Sequence, residues 1–455
     1  IILGTNSIKD TGFDVANSCR FNSGSSDYLN NTSVASVTNR LKFTISLWVK
    51  RSTLGAKSMI GTVGGDSTNF GAIWFDSSDR LNCTEGSGGG TLNFITNRVF
   101  RDVSAWYNII LAIDTTQGTE SNRVKIYVNG VQETSFSTST YPSQNSNMHL
   151  NRGGKTQYIG RHTDSSNNYY FDGYMTVVWV DGSQEAVTSF GEFDSDSGIW
   201  KPIDVSGLTF GNNGFYLDFE DSSALGNDAN GSNNFTVNNL TAIDQSISTC
   251  TNIFCTWNPI ANYTNSVAFS EGNLVAMSGT NDQWDSGRAT MGFSKGKWYF
   301  ECLFVAGVST QYIGVVDESC KMNVANAHNE NGTTIYYNNG GGEIRKDGSF
   351  TSADYGTFSS SEVAGIAIDA DNFTISVYKG GSAIVNAYAL STTRTGFLFP
   401  MTTLLNNGDG VKVNFGSPPY SESGGNTDAN GYGNFNQSVP SGYFAINTKN
   451  LAEYG

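Results

Sequence analysis

The sequence is poor in charge, and the scarcer sign is positive. Its 455 residues include 26 Lys and Arg and 41 Asp and Glu, which is 15% of the chain against a usual ~25%. The net charge of −15 argues against a nucleic-acid or anionic-membrane partner, because both need clustered Lys and Arg. No apolar run approaches the ~18 residues of a membrane span. With only three histidines, the chain is poorly provided for general acid–base chemistry.

Cysteines are few and widely spaced. Of the six, only Cys250 and Cys255 lie close together, and neither a second pair nor a neighbouring His completes a zinc site. We therefore expect free thiols. A Cys250–Cys255 disulfide is the alternative in an oxidising compartment.

The chain is instead rich in glycine, with 52 residues, and in aromatics, at 13%, as expected for short strands joined by polar turns. Phe43–Val49 alternates apolar and polar residues, and so does Val124–Val128, which ends in the hairpin signal Asn129-Gly130. Trp106–Asp114 is almost continuously apolar and predicts a strand buried on both faces. The predicted fold class is all-β, with two β-sandwich domains.

Four segments occur in the order of the strands of a laminin-G-like, or concanavalin A-like, jelly roll, which the chain resembles over roughly residues 10–200. They are Phe43–Trp48, Trp106–Leu111, Val124–Gly130 and Tyr158–Gly160. A second group resembles the SPRY domain over roughly residues 290–418. Its members are Gly296–Glu301, Ala364–Asp369, Phe373–Gly381 and Val411–Gly416.

These patterns predict four regions. Residues 1–206 form the laminin-G-like jelly roll, and 207–289 form an irregular connector with short strands, packed by Phe215–Phe219. Residues 290–420 form the SPRY-like sandwich, and 421–455 form a C-terminal extension.

Further segments are similar to virion proteins of tailed phages, especially marine ones. They are Phe171–Tyr174, Val180–Gly182, Ser189–Phe193, Gly214–Phe219 and Asn447–Ala452. The resemblance implies a non-enzymatic structural protein of the virion surface, a tail fibre or appendage that acts in assembly and in attachment to host glycans. Capsid-surface decoration or a head fibre is one alternative. A cellular lectin-like adhesin or carbohydrate-active module is another.

The implied partners are other virion proteins and further copies of the chain, with a trimer expected by analogy with phage fibres. The extension has little capacity for a core of its own. Its apolar residues therefore need a surface on the SPRY-like domain or on a neighbouring subunit. These residues are Phe435, Val439, Tyr443, Phe444 and Ile446.

Motifs that point to catalysis are incomplete. Gly292–Gly296 has the G-x-S-x-G form around Ser294, but a strand pattern follows it where a nucleophile elbow needs a helix. Glu192, Asp194 and Asp196 resemble the acidic strand of laminarinase-type glucanases, yet the third acid is an Asp in the wrong place. We therefore predict no enzymatic activity.

No cofactor is predicted, although two acidic turns have oxygen ligands at calcium-like spacing. Asp194–Gly198 and Asp369–Asn372 both lack the rest of a calcium loop. A solvated turn is the simpler interpretation, and calcium is the alternative.

Candidate ligand-binding residues are aromatic, amide and acidic side chains beside Gly-rich turns, because sugars need flat stacking surfaces and hydrogen-bonding groups. The alternative is that the rings of Trp74 and Tyr170 alternate into the core. The candidates are Asp66, Asn69, Trp74, Asp164, Tyr169 and Tyr170 in the first domain, and Tyr312 and Tyr337 in the second.

Overall fold

A computed structural model of the chain describes residues 12–63, 70–86, 91–163, 168–262, 267–305, 311–322, 324, 326–338, 341–351, 353–391 and 396–455. The described residues form two compact units, an N-terminal unit of 12–251 and a C-terminal unit of 252–455. Both are built from β-sheets, so the all-β prediction is confirmed. None of the helices in the described ranges is long and apolar enough to cross a bilayer.

The described residues of the N-terminal unit form twenty strands, one short α-helix and two 3₁₀ turns. They are β1 Ser18–Phe21, β2 Tyr28–Thr32, β3 Lys42–Arg51, β4 Lys57–Val63, β5 Phe70–Phe75, β6 Arg80–Glu85, β7 Leu92–Val99, β8 Trp106–Asp114, α1 Glu120–Arg123, β9 Val124–Val128, β10 Val131–Gln132, β11 Phe136–Thr140, β12 Thr156–Ile159, β13 Arg161–Thr163, β14 Asn168–Tyr170, β15 Gly173–Asp181, the 3₁₀ turn Val187–Ser189, β16 Gly191–Phe193, β17 Trp200–Pro202, β18 Phe215–Leu217, β19 Thr236–Asn238, the 3₁₀ turn Ala242–Asp244 and β20 Gln245–Ser246.

Two sheets enclose the core of this unit. The β3 sheet has the order β10-β9-β8-β3-β15-β1-β20, with β18 paired to β15, and the β5 sheet has the order β11-β7-β6-β5-β4-β12-β2-β19. Alternation along β3 turns Phe43, Ile45, Leu47 and Val49 into the space between the sheets, where all four are fully buried. Burial of such side chains is the main favourable contribution to folding.

Strand β8 is covered on both faces, as its apolar run predicts. Ile109 and Leu111 face the main core, whereas Ile110 packs in a second cluster with Phe190 and Phe210. The hairpin predicted at Asn129-Gly130 joins β9 to β10, and both residues have positive φ, 48° and 78°.

Where the C-terminal unit is described, it has fifteen strands, a 3₁₀ turn and a terminal helix. They are β21 Trp257–Asn262, β22 Val267–Ser270, β23 Val275–Ser278, β24 Asp285–Ala289, β25 Lys297–Phe304, β26 Gln311–Asp317, the 3₁₀ turn Ala327–Asn329, β27 Thr333–Tyr337, β28 Glu343–Lys346, β29 Ser349–Phe350, β30 Val363–Asp369, β31 Thr374–Lys379, β32 Ser382–Ala389, β33 Leu398–Leu404, β34 Gly410–Asn414, β35 Phe444–Ala445 and α2 Thr448–Tyr454.

The sheets of this unit are the β26 sheet, in the order β21-β24-β33-β26-β27-β28-β29, and the β25 sheet, in the order β22-β23-β34-β25-β30-β31-β32 with β35 paired to β25. The predicted hairpin over residues 363–378 is present, because β30 pairs with β31 from Ala364↔Lys379 to Asp369↔Thr374. The two sheets together confirm the predicted second sandwich.

The segment predicted as a connector is divided between the two units at residue 251. Its β18 pairs with β15, and Phe215 and Leu217 enter the N-terminal core. Beyond residue 251, β23 and β24 pair with strands of the C-terminal sheets. The connector is therefore built into the sandwiches.

The C-terminal extension packs within its own unit. β35 pairs in parallel with β25, Ile446 and Leu451 join the core, and Phe435 meets the ring of Tyr299 edge-on at 5.2 Å. Of the five apolar residues that needed a surface, Phe435 and Ile446 are buried against the SPRY-like unit, whereas Val439, Tyr443 and Phe444 are partly buried. The buried pair therefore gives no argument for a subunit contact at the extension.

Candidate aromatic binding sites

Three predicted site residues, Asp66, Asn69 and Asp164, lie outside the described residues. The structure places Trp74, Tyr169 and Tyr170 on one face of the β5 sheet in the N-terminal unit, and Tyr312 and Tyr337 beside each other in the C-terminal unit.

Trp74 lies on the outer face of the β5 sheet. Alternation along β5 sends Ile73 and Phe75 into the core and leaves Phe70 and Trp74 half-buried on the opposite face. The alternative interpretation, in which Trp74 points into the core, is therefore wrong.

The hairpin of β13 and β14 folds over this outer face and brings Tyr169 to Trp74. His162 lies opposite Tyr169 in the hairpin, and their rings are parallel within 7° at a centroid distance of 5.0 Å. The Trp74 ring lies 6.2 Å from His162 and 6.4 Å from Tyr169, and Phe70 stacks at 6.0 Å from His162. We call Phe70, Trp74, His162 and Tyr169 the aromatic platform.

Tyr170 belongs to a second group on the same outer face. The Arg161 guanidinium lies 4.7 Å from the ring centre of Tyr28, 5.0 Å from that of Tyr158 and 5.6 Å from that of Tyr170. Its Nη2 donates to Asn168 Oδ1 at 2.6 Å. Tyr170 is half-buried beside this cation, outside the core cluster.

The hairpin can approach the sheet because Gly61 has no side chain. A Cβ at Gly61 would lie 2.7 Å from His162 Cβ and 2.8 Å from the Arg161 carbonyl oxygen. Gly61 therefore fixes the height of the aromatic platform above the sheet.

Replacing Gly61 with valine should displace the hairpin and lower the free energy of unfolding of the N-terminal unit by about 1–3 kcal/mol, as overpacking generally does. Urea unfolding measures this change. The control is Gly118→Ala, because a Cβ at Gly118 meets nothing within 4 Å. Equal stability of the two variants would show that the hairpin does not rest on Gly61.

In the C-terminal unit, Tyr312 and Tyr337 are cross-strand neighbours with stacked rings 4.7 Å apart. Tyr312 is only 1% exposed, and its hydroxyl accepts a hydrogen bond from Arg345 Nη1 at 3.2 Å. Burial raises the pKa of Tyr312 to about 12. Tyr312 therefore supports the half-buried Tyr337 from beneath and has little surface for a ligand of its own.

His328 is buried beside these tyrosines, with its ring 4.0 Å from that of Trp284. Burial, together with the positive charge of Arg345, lowers the pKa of His328 to about 3. The imidazole is therefore neutral at physiological pH and adds no charge to this site. Phe350, which is 48% exposed and 5.4 Å from Tyr337, extends the surface.

The catalytic motifs do not form reactive groupings. Ser294 is exposed and precedes strand β25. The carboxylates of Glu192 and Asp194 both lie near Lys201 Nζ, at 3.4 and 3.6 Å. Hydrogen bonds from Ser197 lower the pKa of Asp194, which is the signature of a closed turn.

The two calcium-like turns are closed by their own residues. Asp194 accepts from the backbone N–H groups of Asp196 and Ser197, and Asp369 accepts from those of Asp371 and Asn372. Within the described ranges, no group of three or more His, Cys, Asp or Glu side chains is arranged to hold a metal ion. All six cysteines are free thiols, as expected, and the Cys250–Cys255 disulfide is not formed.

Sequence reasoning missed Phe70, His162, Tyr28, Tyr158 and Arg161. The signal for Tyr28 and Tyr158 is present in the alternation of β2 and β12, where both tyrosines occupy outward positions. No local signal marks His162, because its place depends on where the hairpin folds.

Each unit is thus a β-sandwich with a partly exposed aromatic site. Residues 23–183 match the model of the Concanavalin A-like lectin/glucanases superfamily (Laminin_G_3), and residues 297–418 match that of the SPRY domain. The chain therefore contains a laminin-G-like and a SPRY domain, as its sequence patterns suggested.

The chain is also similar to solved structures that are distant in sequence. The SPRY domain of human HERC1 is 16% identical, with 34% of this chain and 96% of that chain covered and a TM-score of 0.29. A heptameric SAP-like pentraxin from Limulus polyphemus is 11% identical, with 50% and 94% covered and a TM-score of 0.31. A Bacteroides ovatus protein described as carbohydrate binding is 17% identical, with 50% and 59% covered and a TM-score of 0.35. No curated protein matches the sequence.

Proposed function

We propose that the protein is a non-enzymatic glycan-binding protein and that the aromatic platform is its sugar site. The observation that carries the proposal is the position of Trp74 and Tyr169, whose half-buried rings meet outside the hydrophobic core. Aromatic side chains at partly exposed positions offer a flat apolar surface with polar groups at its rim. The C–H face of a pyranose ring is complementary to such a surface.

The neighbouring polar groups suit the same ligand. Asn168, Arg161, Tyr169 and Tyr170 all belong to the β13–β14 hairpin, and Arg161 donates to Asn168 there. Sugar sites combine an apolar floor with a few such hydrogen-bonding groups. The match of residues 23–183 to a lectin and glucanase superfamily supports binding. The absence of catalysis is supported by Glu192 and Asp194, which are both paired with Lys201, and by the hydrogen bonds that hold Asp194 in its own turn.

Replacing Trp74 with alanine should weaken glycan binding by about thirtyfold, because a ring at the centre of an interface is worth about 2 kcal/mol. An array of bacterial surface polysaccharides would identify the tightest neutral oligosaccharide, and titration calorimetry would measure its Kd. The control is Phe193→Ala, since Phe193 is a 51% exposed ring on a different hairpin. Equal losses in the two variants, or no loss in either, would refute the platform as the site.

The proposed setting is the surface of a tailed-phage particle, where the protein acts as a tail fibre or appendage component. This part of the proposal is supported by the virion-like segments, such as Phe171–Tyr174 and Gly214–Phe219. A homo-trimer bound to other virion proteins is the proposed assembly.

A density map of the intact particle tests this setting, and three copies at each tail-fibre attachment point are expected. Copies spread over the capsid would favour a decoration protein instead. Absence of the protein from purified particles would overturn the virion proposal while leaving glycan binding untouched.

A further inference from the structure

A polar groove lies in the N-terminal unit between the loop of residues 35–41 and the loop that carries Arg152. Its volume is about 530 Å³, within the range of about 300–1,000 Å³ that is common for small-ligand sites. Arg40 and Arg152 both line it, together with Ser36, Val37 and Gly153. None of these residues belongs to the aromatic platform.

Arg40 is oriented by the protein. Its Nε and Nη2 both donate to the Met148 carbonyl oxygen, at 3.2 and 2.8 Å. The loop beneath it is fixed by the buried Asp181, which accepts from the backbone N–H groups of Thr38 and Asn39 at 2.6 and 3.1 Å. A guanidinium held in this way loses little conformational entropy when it binds a ligand.

Among the described residues, no carboxylate forms an ion pair with either arginine of the groove. Burial and then repulsion from Arg152 lower the pKa of Arg40. The acid that opposes this effect, Glu85, is fully buried and already accepts from the backbone N–H groups of His149 and Leu150.

Two arginines that repel each other are an unfavourable arrangement, and here it occurs in a chain whose net charge is −15. An oxyanion between them would relieve the repulsion and would accept charge-assisted hydrogen bonds from both. Acidic proteins and nucleic acids are poor candidates, because the surrounding negative charge of the chain repels large polyanions. A single charged group on an otherwise neutral polymer avoids that cost.

We propose that the Arg40–Arg152 groove binds a carboxylate or sulfate group carried by a glycan. The inference rests on the proposed glycan-binding function and adds to it a second, charge-selective site. In both cases the bound group is an oxyanion attached to a sugar ring. The carboxylate would come from a uronic acid and the sulfate from a sulfated sugar.

Titration calorimetry with the full chain tests the proposal. The probes are a galacturonic acid trisaccharide, its neutral methyl ester and a sulfated galactose trisaccharide. Arg152→Gln should weaken binding of at least one charged probe by tenfold or more, as expected for a hydrogen bond between charged groups. Arg40→Gln should do the same, and binding should also weaken between 50 and 500 mM NaCl.

The matched control is Arg98→Gln, which removes the same charge from a residue of the same unit that pairs with Glu133, away from the groove. Its affinity for the charged probes should stay within twofold of the parent chain. Loss through Arg152→Gln alone still supports the proposal if Arg40→Gln proves unstable, because the hydrogen bonds of Arg152 among the described residues are made by its backbone, which the substitution keeps.

The groove would be overturned as an anion site if both charged probes bound no more tightly than the neutral methyl ester, or if the Arg152→Gln and Arg98→Gln variants had equal affinities for the charged probe that binds. The same holds if neither charged probe binds. In that case, binding of a neutral glycan that depends on Trp74 would leave the proposed function standing. Failure of every saccharide, charged or neutral, would overturn both.

Discussion

Replacing Asp181 with asparagine should lower the free energy of unfolding of the N-terminal unit by about 3 kcal/mol. The buried carboxylate accepts four hydrogen bonds, from the backbone N–H groups of Thr38, Asn39 and Asn213 and from Asn151 Nδ2. Each carboxylate oxygen accepts two of these hydrogen bonds. In the asparagine variant an NH₂ group replaces one oxygen, so two N–H donors lose their acceptor and face another donor. Each unsatisfied buried donor costs about 1–3 kcal/mol.

Urea unfolding of the parent chain and of the Asp181→Asn variant measures this loss of stability. The control is Glu192→Gln, because the Glu192 side chain is 59% exposed and its ion pair with Lys201 is a surface one. Such a substitution is expected to change stability by less than about 0.5 kcal/mol. If Asp181→Asn falls within the same limit, Asp181 does not fix the loop of residues 36–41, and the orientation of Arg40 loses its structural basis.

Stability should fall as pH rises from about 4.5 to about 7, by about 3 kcal/mol in each unit. Each unit contains one fully buried glutamate, Glu85 or Glu301, whose pKa is raised by burial from 4.5 to about 7. Between these values the folded protein holds a proton that the unfolded chain releases. The free energy of unfolding therefore declines with pH and levels off above pH 7.

Hydrogen exchange in urea at pH 5, 6, 7 and 8, corrected for the intrinsic pH dependence of exchange, would report the two units separately. Glu301→Gln should flatten the pH profile of the C-terminal unit and leave that of the N-terminal unit unchanged. Aspartates whose pKa is lowered, such as Asp172 and Asp369, lose their contribution at more acidic pH than this window. A profile that is flat or rises with pH would contradict the assignment.

The sandwiches are predictable from the sequence because their strands carry the information locally. Phe43–Val49 alternates, Trp106–Asp114 is apolar throughout, and Asn129-Gly130 provides a turn with positive φ. Each pattern specifies one strand and the face that it buries. Strand order and the division of the connector between units depend on long-range pairing, such as β15 with β18, which no local pattern contains.

One motif that occurs twice in the sequence does indicate part of the long-range structure. Asp-Ala-Asn-Gly occurs at Asp228 and again at Asp428, and a phenylalanine follows seven residues after each Asp, at Phe235 and Phe435. In both units the aspartate accepts hydrogen bonds from backbone N–H groups. One donor to Asp228 is Tyr216, and one donor to Asp428 is Ala445. The phenylalanine is buried in both. The composition predicts a polar loop at both places. In the structure each loop is instead attached to its sandwich, by the hydrogen bonds of the aspartate and by the buried phenylalanine.

The aromatic platform was predictable in part. The outward position of Trp74 follows from Ile73 and Phe75, which alternate into the core. That Tyr169 meets Trp74 while its neighbour Tyr170 meets Arg161 follows from the hairpin that crosses the sheet over Gly61. Only the folded chain shows that crossing.

Glycan binding at the outer face of the β5 sheet is the central claim, and hydrogen-exchange mass spectrometry with and without a saturating neutral glycan tests it most directly. If the glycan binds at the aromatic platform, amide exchange should slow in β5 and in the hairpin of β13 and β14, and exchange in the β26 sheet should not change. Slower exchange confined to β26, β27 and β28, around Tyr337, would contradict the claim and place the ligand in the C-terminal unit.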